Sequence, residues 1–383
     1  MTSETTAAGL LRRLITIDSV NPGLVPGAAG EAAAARFTAE WLASQSGGFA
    51  VRVLDHGAGR ASVLAVAPGT GGGRSLMLNG HIDTVALSSY DGDGLGPVER
   101  DGNVYGRGAY DMKSGIAAIM VAAAGAAAAP HRGDIVVALV ADEEWASVGT
   151  EAVLREVVTD AAIVAEPSNL DLVIAHRGFA LAEVTVHGVA AHGSRPDLGV
   201  DAIAKAGRFL TALDDLATRL AAGRPDPLVG TGGVHASTIS GGIEYSTYPD
   251  RCAISVERRT VPGEDASTTD AELRAILTGI AAADPAFRFD LAVTAQRPPF
   301  AADQDSAVAH AVTTAFREVT GAEPRRRGEA FWTDCALLDA AGIDTVMFGV
   351  DGAGAHAATE WVTLSSLDTV TQTLTRTITS YTG

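Results

Sequence analysis

Two cysteines in 383 residues, Cys252 and Cys335, are too few for a disulfide framework or a thiolate zinc site. Both read as buried small hydrophobes, and a cytoplasmic location follows. No window approaches eighteen consecutive apolar residues without a charge or a glycine, which argues against a transmembrane helix. The opening stretch, "MTSETTAAGLLRRLITIDS", lacks the basic start, apolar core and cleavage site of a signal peptide, and reads as an amphipathic helix. Basic residues are scarce: 28 Lys and Arg stand against 46 Asp and Glu, a formal net charge of −18. Phosphate backbones are held by basic patches, so neither nucleic acid nor a membrane is expected as a partner. The acidic excess favours solubility and draws cations to acidic clefts.

Several chemistries are missing too. No G-x-x-x-x-G-K-[ST] phosphate loop is present, no G-x-S-x-G nucleophile elbow, no H-E-x-x-H and no paired C-x-x-C. "DGDGLG" near residue 91 resembles a calcium loop only superficially, since its fifth position is Leu95 and the twelfth-position Glu is absent.

What is present is a hydrophobic fraction of 47%, enough for more than one core. Residues 1 to 170 alternate strand-like runs ("SVLAV", "SLMLNGHIDTV", "IVVALVADEE") with helical ones, including a long Ala-rich helix. This alternation argues for an α/β sheet covered on both faces, with functional groups beyond the C-terminal strand ends. From "FALAEVTVHGV" onward the pattern becomes a small α+β unit with antiparallel strands, and after about residue 295 the helix–strand alternation returns. The economical reading is one α/β domain, residues 1–177 plus 295–383, interrupted by an inserted domain, residues 178–294.

Five segments then place a metal-type ligand at a strand end or loop. "NGHIDTV" offers His81, with Asp83 two residues on and on the same side of a strand, where it can orient the imidazole. "GRGAYDMKSG" offers Asp111, although a helix N-cap is the bland reading. "DEEW" offers Glu143 and Glu144, although a solvated turn is the bland reading. "VAEPSN" offers Glu166, and "GAGAHAATEW" offers His356 in a glycine loop before a helix carrying Glu360. Two imidazoles and three carboxylates are what a pair of zinc-type ions needs.

The ordered set "GHIDTV … GRGAYDMKSG … DEE … EPS … AHGS … ERRTVPGE … TDCA … AHAATEW" resembles the family that includes acetylornithine deacetylase, succinyl-diaminopimelate desuccinylase, aminoacylase and the glutamate-releasing carboxypeptidases. The resemblance covers nearly the whole chain. It implies a zinc-peptidase-like α/β catalytic domain with an inserted α+β dimerisation or lid domain, and a homodimer. It implies two divalent ions per subunit, zinc in the first place, with cobalt or manganese able to substitute. Asp111 would bridge them; His81 and Glu166 would complete one site, Glu144 and His356 the other. Asp83 would orient His81, and Glu143 would be the general base. Asp142 would end its strand and face solvent or backbone donors. His192 would stabilise the oxyanion from the partner subunit. Arg259 would grip a substrate carboxylate, with the neighbouring Arg258 a surface charge. The resemblance also implies a cis peptide between Asp111 and Met112.

Two segments depart from the family pattern: Ser246 stands where many members have Asn, and "FGVDGAG", centred on Val350–Gly352, replaces Gly-Pro-Gly. Both should line the substrate pocket, which puts substrate identity in doubt and leaves the metal ligands untouched. The implied activity is metal-dependent hydrolysis of the amide bond of a small N-acyl-amino acid. The alternatives are a carboxypeptidase or dipeptidase acting on a short peptide, and a non-catalytic metal-binding protein of the same fold.

Overall fold

The computed structural model describes residues 4–383, which form two compact units. The first runs to Ile174 and resumes at Ala302–Arg327 and Thr333–Gly383; the second comprises Ala175–Ala301 and Gly328–Trp332.

The first unit opens with helix α1 (Ala7–Ile15), capped by the Thr6 hydroxyl, which accepts from Gly9 N at 3.1 Å. Its Leu10, Leu11, Leu14 and Ile15 are buried at amphipathic spacing. Helix α2 (Ala32–Ala43) leads to the antiparallel pair β1 (Ala50–Gly57) and β2 (Arg60–Ala67). Then follow β3 (Leu76–His81), the short β4 (Asn103–Tyr105), helix α3 (Lys113–Ala127), β5 (Ile135–Val140) and β6 (Ala161–Val164). Strands β3, β5 and β6 are parallel and wholly buried, so they read as unbroken apolar runs instead of alternating ones.

Helix α3 is rich in Ala, the best helix former, and most of its residues are buried. A Cβ on Gly115 would stand 2.2 Å from the carbonyl oxygen of Ala165, so only glycine lets this helix approach the strand end that carries Glu166.

The second unit contains β7 (Gly178–His187), α4 (Ala202–Ala221), β8 (Gly233–Gly241), β9 (Arg251–Thr260), α5 (Ala266–Ala283) and β10 (Arg288–Arg297). Its four strands form an antiparallel sheet in the order β8–β9–β7–β10. Ala182, Val184 and Val186 of β7 and Ile254 and Val256 of β9 pack with Phe209, Leu213, Leu273 and Leu277 of the two helices. Arg258 is in phase with Ile254 and Val256 and is fully buried, ion-paired with Glu264 (2.7 Å) and Glu272 (2.9 Å). The expected surface charge is therefore a buried structural hub, because alternation puts it on the covered face of β9. Arg259, on the other face, is half-exposed; it pairs with Glu257 and lies over the Phe179 ring. The short segment Gly328–Trp332 belongs here because the Trp332 indole donates to Pro298 O (3.1 Å) and meets Phe179 edge-on.

The chain returns to the first unit through α6 (Ala307–Thr320), β11 (Asp344–Met347), β12 (Gly352–Ala353), β13 (Trp361–Thr363) and α7 (Leu364–Thr382). Strand β11 extends the sheet parallel to β6, giving the order β1–β2–β5–β3–β6–β11. The C-terminal ends of β3, β5 and β6 carry His81, the acidic turn at 142–144 and Glu166. Among the described residues no helix is long and apolar enough to cross a membrane.

Candidate metal centre

His81 closes β3. Its Nδ1 donates to the carbonyl oxygen of Asp83 (3.0 Å), so in the neutral ring Nε2 carries the lone pair. Nε2 faces Asp111 Oδ1 at 3.0 Å and Glu166 Oε1 at 3.4 Å. On the far side of Asp111, His356 Nε2 lies 3.3 Å from Oδ2 and 2.9 Å from Glu144 Oε2. Two groups result, His81–Asp111–Glu166 and Asp111–Glu144–His356, each with one atom per residue within 4.8 Å of the others. Asp111 is the member they share. Glu143, half-buried beside them, belongs to neither group.

Protons alone leave this cluster in conflict. Burial, then the neighbouring Glu166, pushes Glu143 well above the ordinary carboxylate range, and burial does the same to Glu166. Burial opposes ionisation of Asp111, yet the two imidazoles hold its pKa below the ordinary value. His356 is raised to about 10 by Asp111 and Glu144; His81, although burial opposes it, is raised by Glu166 and Asp111. A divalent ion resolves the conflict, because it binds neutral imidazole and ionised carboxylate together. The donor set fits two such ions.

The residues behind the ligands fix them. The Asp83 carboxylate accepts from Asn21 Nδ2 (2.7 Å), Glu143 N (3.3 Å) and Glu144 N (3.2 Å), so it braces the acidic turn as well as standing 3.5 Å from His81 Nδ1. Asp142 is fully buried and its carboxylate meets side chains, which corrects the expectation that it faces solvent or backbone donors. Its Oδ1 pairs with Arg60 and accepts from Asn21 Nδ2 at 3.1 Å. Its backbone is left-handed (φ 75°), and its carbonyl receives Ala146 N and Ser147 N, which folds the turn tightly. Glu360 lies just before β13, not on a helix, and is 1% exposed. The Asp111–Met112 peptide is cis.

Sequence patterning missed Asn21, Arg60, Arg107, Asp334 and the setting of Glu360. Asp334 accepts from the Thr150 hydroxyl at 2.5 Å, and burial raises it to about 6. It falls in "TDCA", a stretch already marked by the resemblance but given no role. Gly352 admits no side chain: a Cβ there would stand 2.3 Å from Trp361 O and 2.7 Å from the Tyr110 ring. His192, Ser246 and Arg259 lie in the second unit. His192 and Ser246 are exposed, and the Ser246 carbonyl accepts from Gly193 N at 2.7 Å, which sets them side by side. The His192 Nδ1 meets Ser194 Oγ at 2.8 Å.

Comparison with known proteins gives the family and the fold. An acetylornithine deacetylase of Myxococcus xanthus is 32% identical over 338 residues, 86% of each chain. An N-acetyl-L-citrulline deacetylase of Xanthomonas campestris is 31% identical over 376 residues, 96% of each chain. The solved aminopeptidase PepT of Bacillus cereus superposes with a TM-score of 0.79 over 100% of both chains, at 19% identity, a likeness of fold. The profile of peptidase family M20/M25/M40 matches residues 77–380, from the second residue of β3 to the last turn of the last helix and so across every candidate ligand of the centre. The chain belongs to that family.

Proposed function

We propose that this protein is a dinuclear metal-dependent amidohydrolase that removes the acyl group from a small N-acyl-amino acid. The observation that carries the reading is the shared Asp111, with one carboxylate oxygen turned to His81 and the other to His356. The deacetylase names of the two relatives support the substrate class. In this reading His81, Asp111 and Glu166 hold one ion, and Asp111, Glu144 and His356 the other. Zinc is the first choice for such ligands, with cobalt or manganese as substitutes. When bound, the ions supply Lewis acidity, lowering the pKa of water and polarising the amide carbonyl.

The protein's own groups do the rest. Glu143, close to the ions but outside both ligand groups, takes the proton from the attacking water. It returns that proton to the amide nitrogen as the carbon–nitrogen bond breaks, so one amide and one water become a carboxylic acid and an amine, which exchange the remaining acid proton to leave as carboxylate and ammonium. Asp83 holds the backbone of Glu143 and keeps the base in place. His192 donates to the developing oxyanion from a partner subunit, Arg259 binds the substrate carboxylate, and Ser246 and the segment around Gly352 line the pocket. The second unit is then the dimerisation module of a homodimer. A cytoplasmic setting belongs to the same reading, supported by two unpaired buried cysteines.

The test is a panel of N-acetyl-, N-succinyl- and N-formyl-amino acids and dipeptides, assayed with the metal-stripped protein after addition of zinc, cobalt or manganese. Metal-dependent deacylation is expected. Faster cleavage of dipeptides would move the protein to the peptidase side. A protein carrying two ions that hydrolyses nothing in the panel would overturn the reading.

A further inference from the structure

The five candidate ligands are not equally supported. His81 ends the buried strand β3, and Glu166 stands two residues past the end of the buried strand β6. Asp111 and His356 sit in loops. His356 has a left-handed backbone (φ 59°), and its side chain is 55% exposed. Something other than the sheet must set the distance between these two.

One buried ion pair lies behind both loops. Arg107 and Glu360 are each 1% exposed, and Arg107 Nη1 donates to Glu360 Oε2 at 2.8 Å. The same oxygen accepts from Gly108 N at 2.9 Å. The other, Oε1, accepts from Tyr110 N (2.9 Å) and from Asp111 N itself (3.0 Å). Arg107 Nη2 crosses to the other loop, donating to Ala357 O (3.0 Å), next to His356, and to Ser89 Oγ (2.9 Å). The carboxylate thus holds the backbone of Asp111, and the guanidinium holds the loop of His356. Buried charges pair only at a desolvation cost, which good geometry and further hydrogen bonds offset. Here every further bond is to one of the two loops or to the neighbouring Ser89.

We propose that Arg107 and Glu360 are positioning residues that fix Asp111 relative to His356 and thereby set the affinity of the Asp111–Glu144–His356 group for its ion. This rests on the dinuclear reading above. Partners that orient metal ligands typically contribute 10–100-fold in affinity.

Glu360→Gln keeps the size of the side chain and turns one acceptor into a donor. In either orientation the new NH₂ faces two existing N–H donors. Arg107→Lys keeps the charge, but one ammonium cannot span Glu360, Ala357 and Ser89. Zinc would be removed from wild type and both variants and returned by titration against a chromophoric chelator. Urea unfolding of the metal-free proteins would run alongside. One of the two zinc ions should bind about 10–100-fold more weakly in each variant, the other should change less, and the metal-free chains should still unfold cooperatively. A purely structural pair would instead lower metal-free stability and leave the affinities of the folded variants alone. Affinities within twofold of wild type in both folded variants overturn the proposal, as does failure of both variants to fold. Wild type that binds none of zinc, cobalt and manganese sinks the hydrolase reading itself, a result separable from unchanged variants.

Discussion

Removing the guanidinium of Arg60 tests how the acidic turn is built. Asp142 has no exposed surface, and its Oδ1 has two partners, Arg60 and the Asn21 amide at 3.1 Å. Among the described residues its Oδ2 has none. Arg60→Met keeps the apolar stem and takes away the charge. Breaking a buried ion pair from one side typically costs about 3–5 kcal/mol, because the remaining charge is left uncompensated. Against a usual total of about 5–15 kcal/mol this is a large fraction, although the protein should still fold. Asp142 is also the pivot from which Glu143 and Glu144 hang, so activity should fall together with stability. A shift of about 1 Å in a reacting group costs on the order of 10²-fold. The second arm is the double variant Arg60→Met with Asp142→Asn. Its amide oxygen can still accept from Asn21, and no charge remains buried at position 142. It should recover at least half of the lost stability, since residues in direct contact are strongly non-additive. Urea unfolding followed by circular dichroism gives all three numbers. A single variant that costs less than about 1 kcal/mol, or a double variant no better than the single, would refute the claim that this pair compensates a buried charge.

Glu143→Ala should keep both metals and lose about 10²–10⁴-fold in turnover, whereas Glu144→Ala should lose metal; metal analysis beside the assay separates them, and the reverse pattern would mean the roles are exchanged. Glu31 is fully buried, both its oxygens lack partners among the described residues, and burial followed by the charge of Asp83 raises it from 4.5 to about 8. Between those values the folded chain binds more protons than the unfolded chain. Stability should therefore fall as pH rises from about 4.5 to 8, by at most about 1.4 kcal/mol per pH unit. Glu31→Gln should flatten that slope, and an unchanged slope in urea titrations would refute it. His192→Ala should lose about 10²–10³-fold in turnover with its metals intact. Mixing it with Glu143→Ala subunits should restore activity; exchanged heterodimers that stay inactive would show that His192 does not act across an interface.

Some of this was legible in the sequence because of where the residues stand. His81 and Glu166 follow apolar runs that are buried on both faces, and such runs announce their own ends. The alternation in β9 was legible too, but not which of its faces is covered, so Arg258 was assigned to the wrong side. The support of the centre was not legible at all. Glu360 meets Arg107 across 253 positions, and Asn21 meets Asp142 across 121. A charged residue in a glycine-rich loop looks solvated until its partner is known. Trp332 is another such case, since its packing on Phe179 and Pro298 draws a short segment away from the sequence that surrounds it.

The interruption of the first unit bears on how the protein is made. Four of the candidate ligands, His81 through Glu166, are synthesised before the second unit begins, and His356 comes 190 positions after Glu166. At about 5–20 residues per second, a nascent chain spends roughly 10–40 s with the first ligand group complete and the second lacking its imidazole. Strand β11, which extends the sheet beside β6, emerges in the same late interval. The last stretch of synthesis therefore finishes the sheet and the candidate two-ion centre together, and a ribosome that stops short of residue 356 releases a chain in which Asp111 has only one of the two histidines that face it.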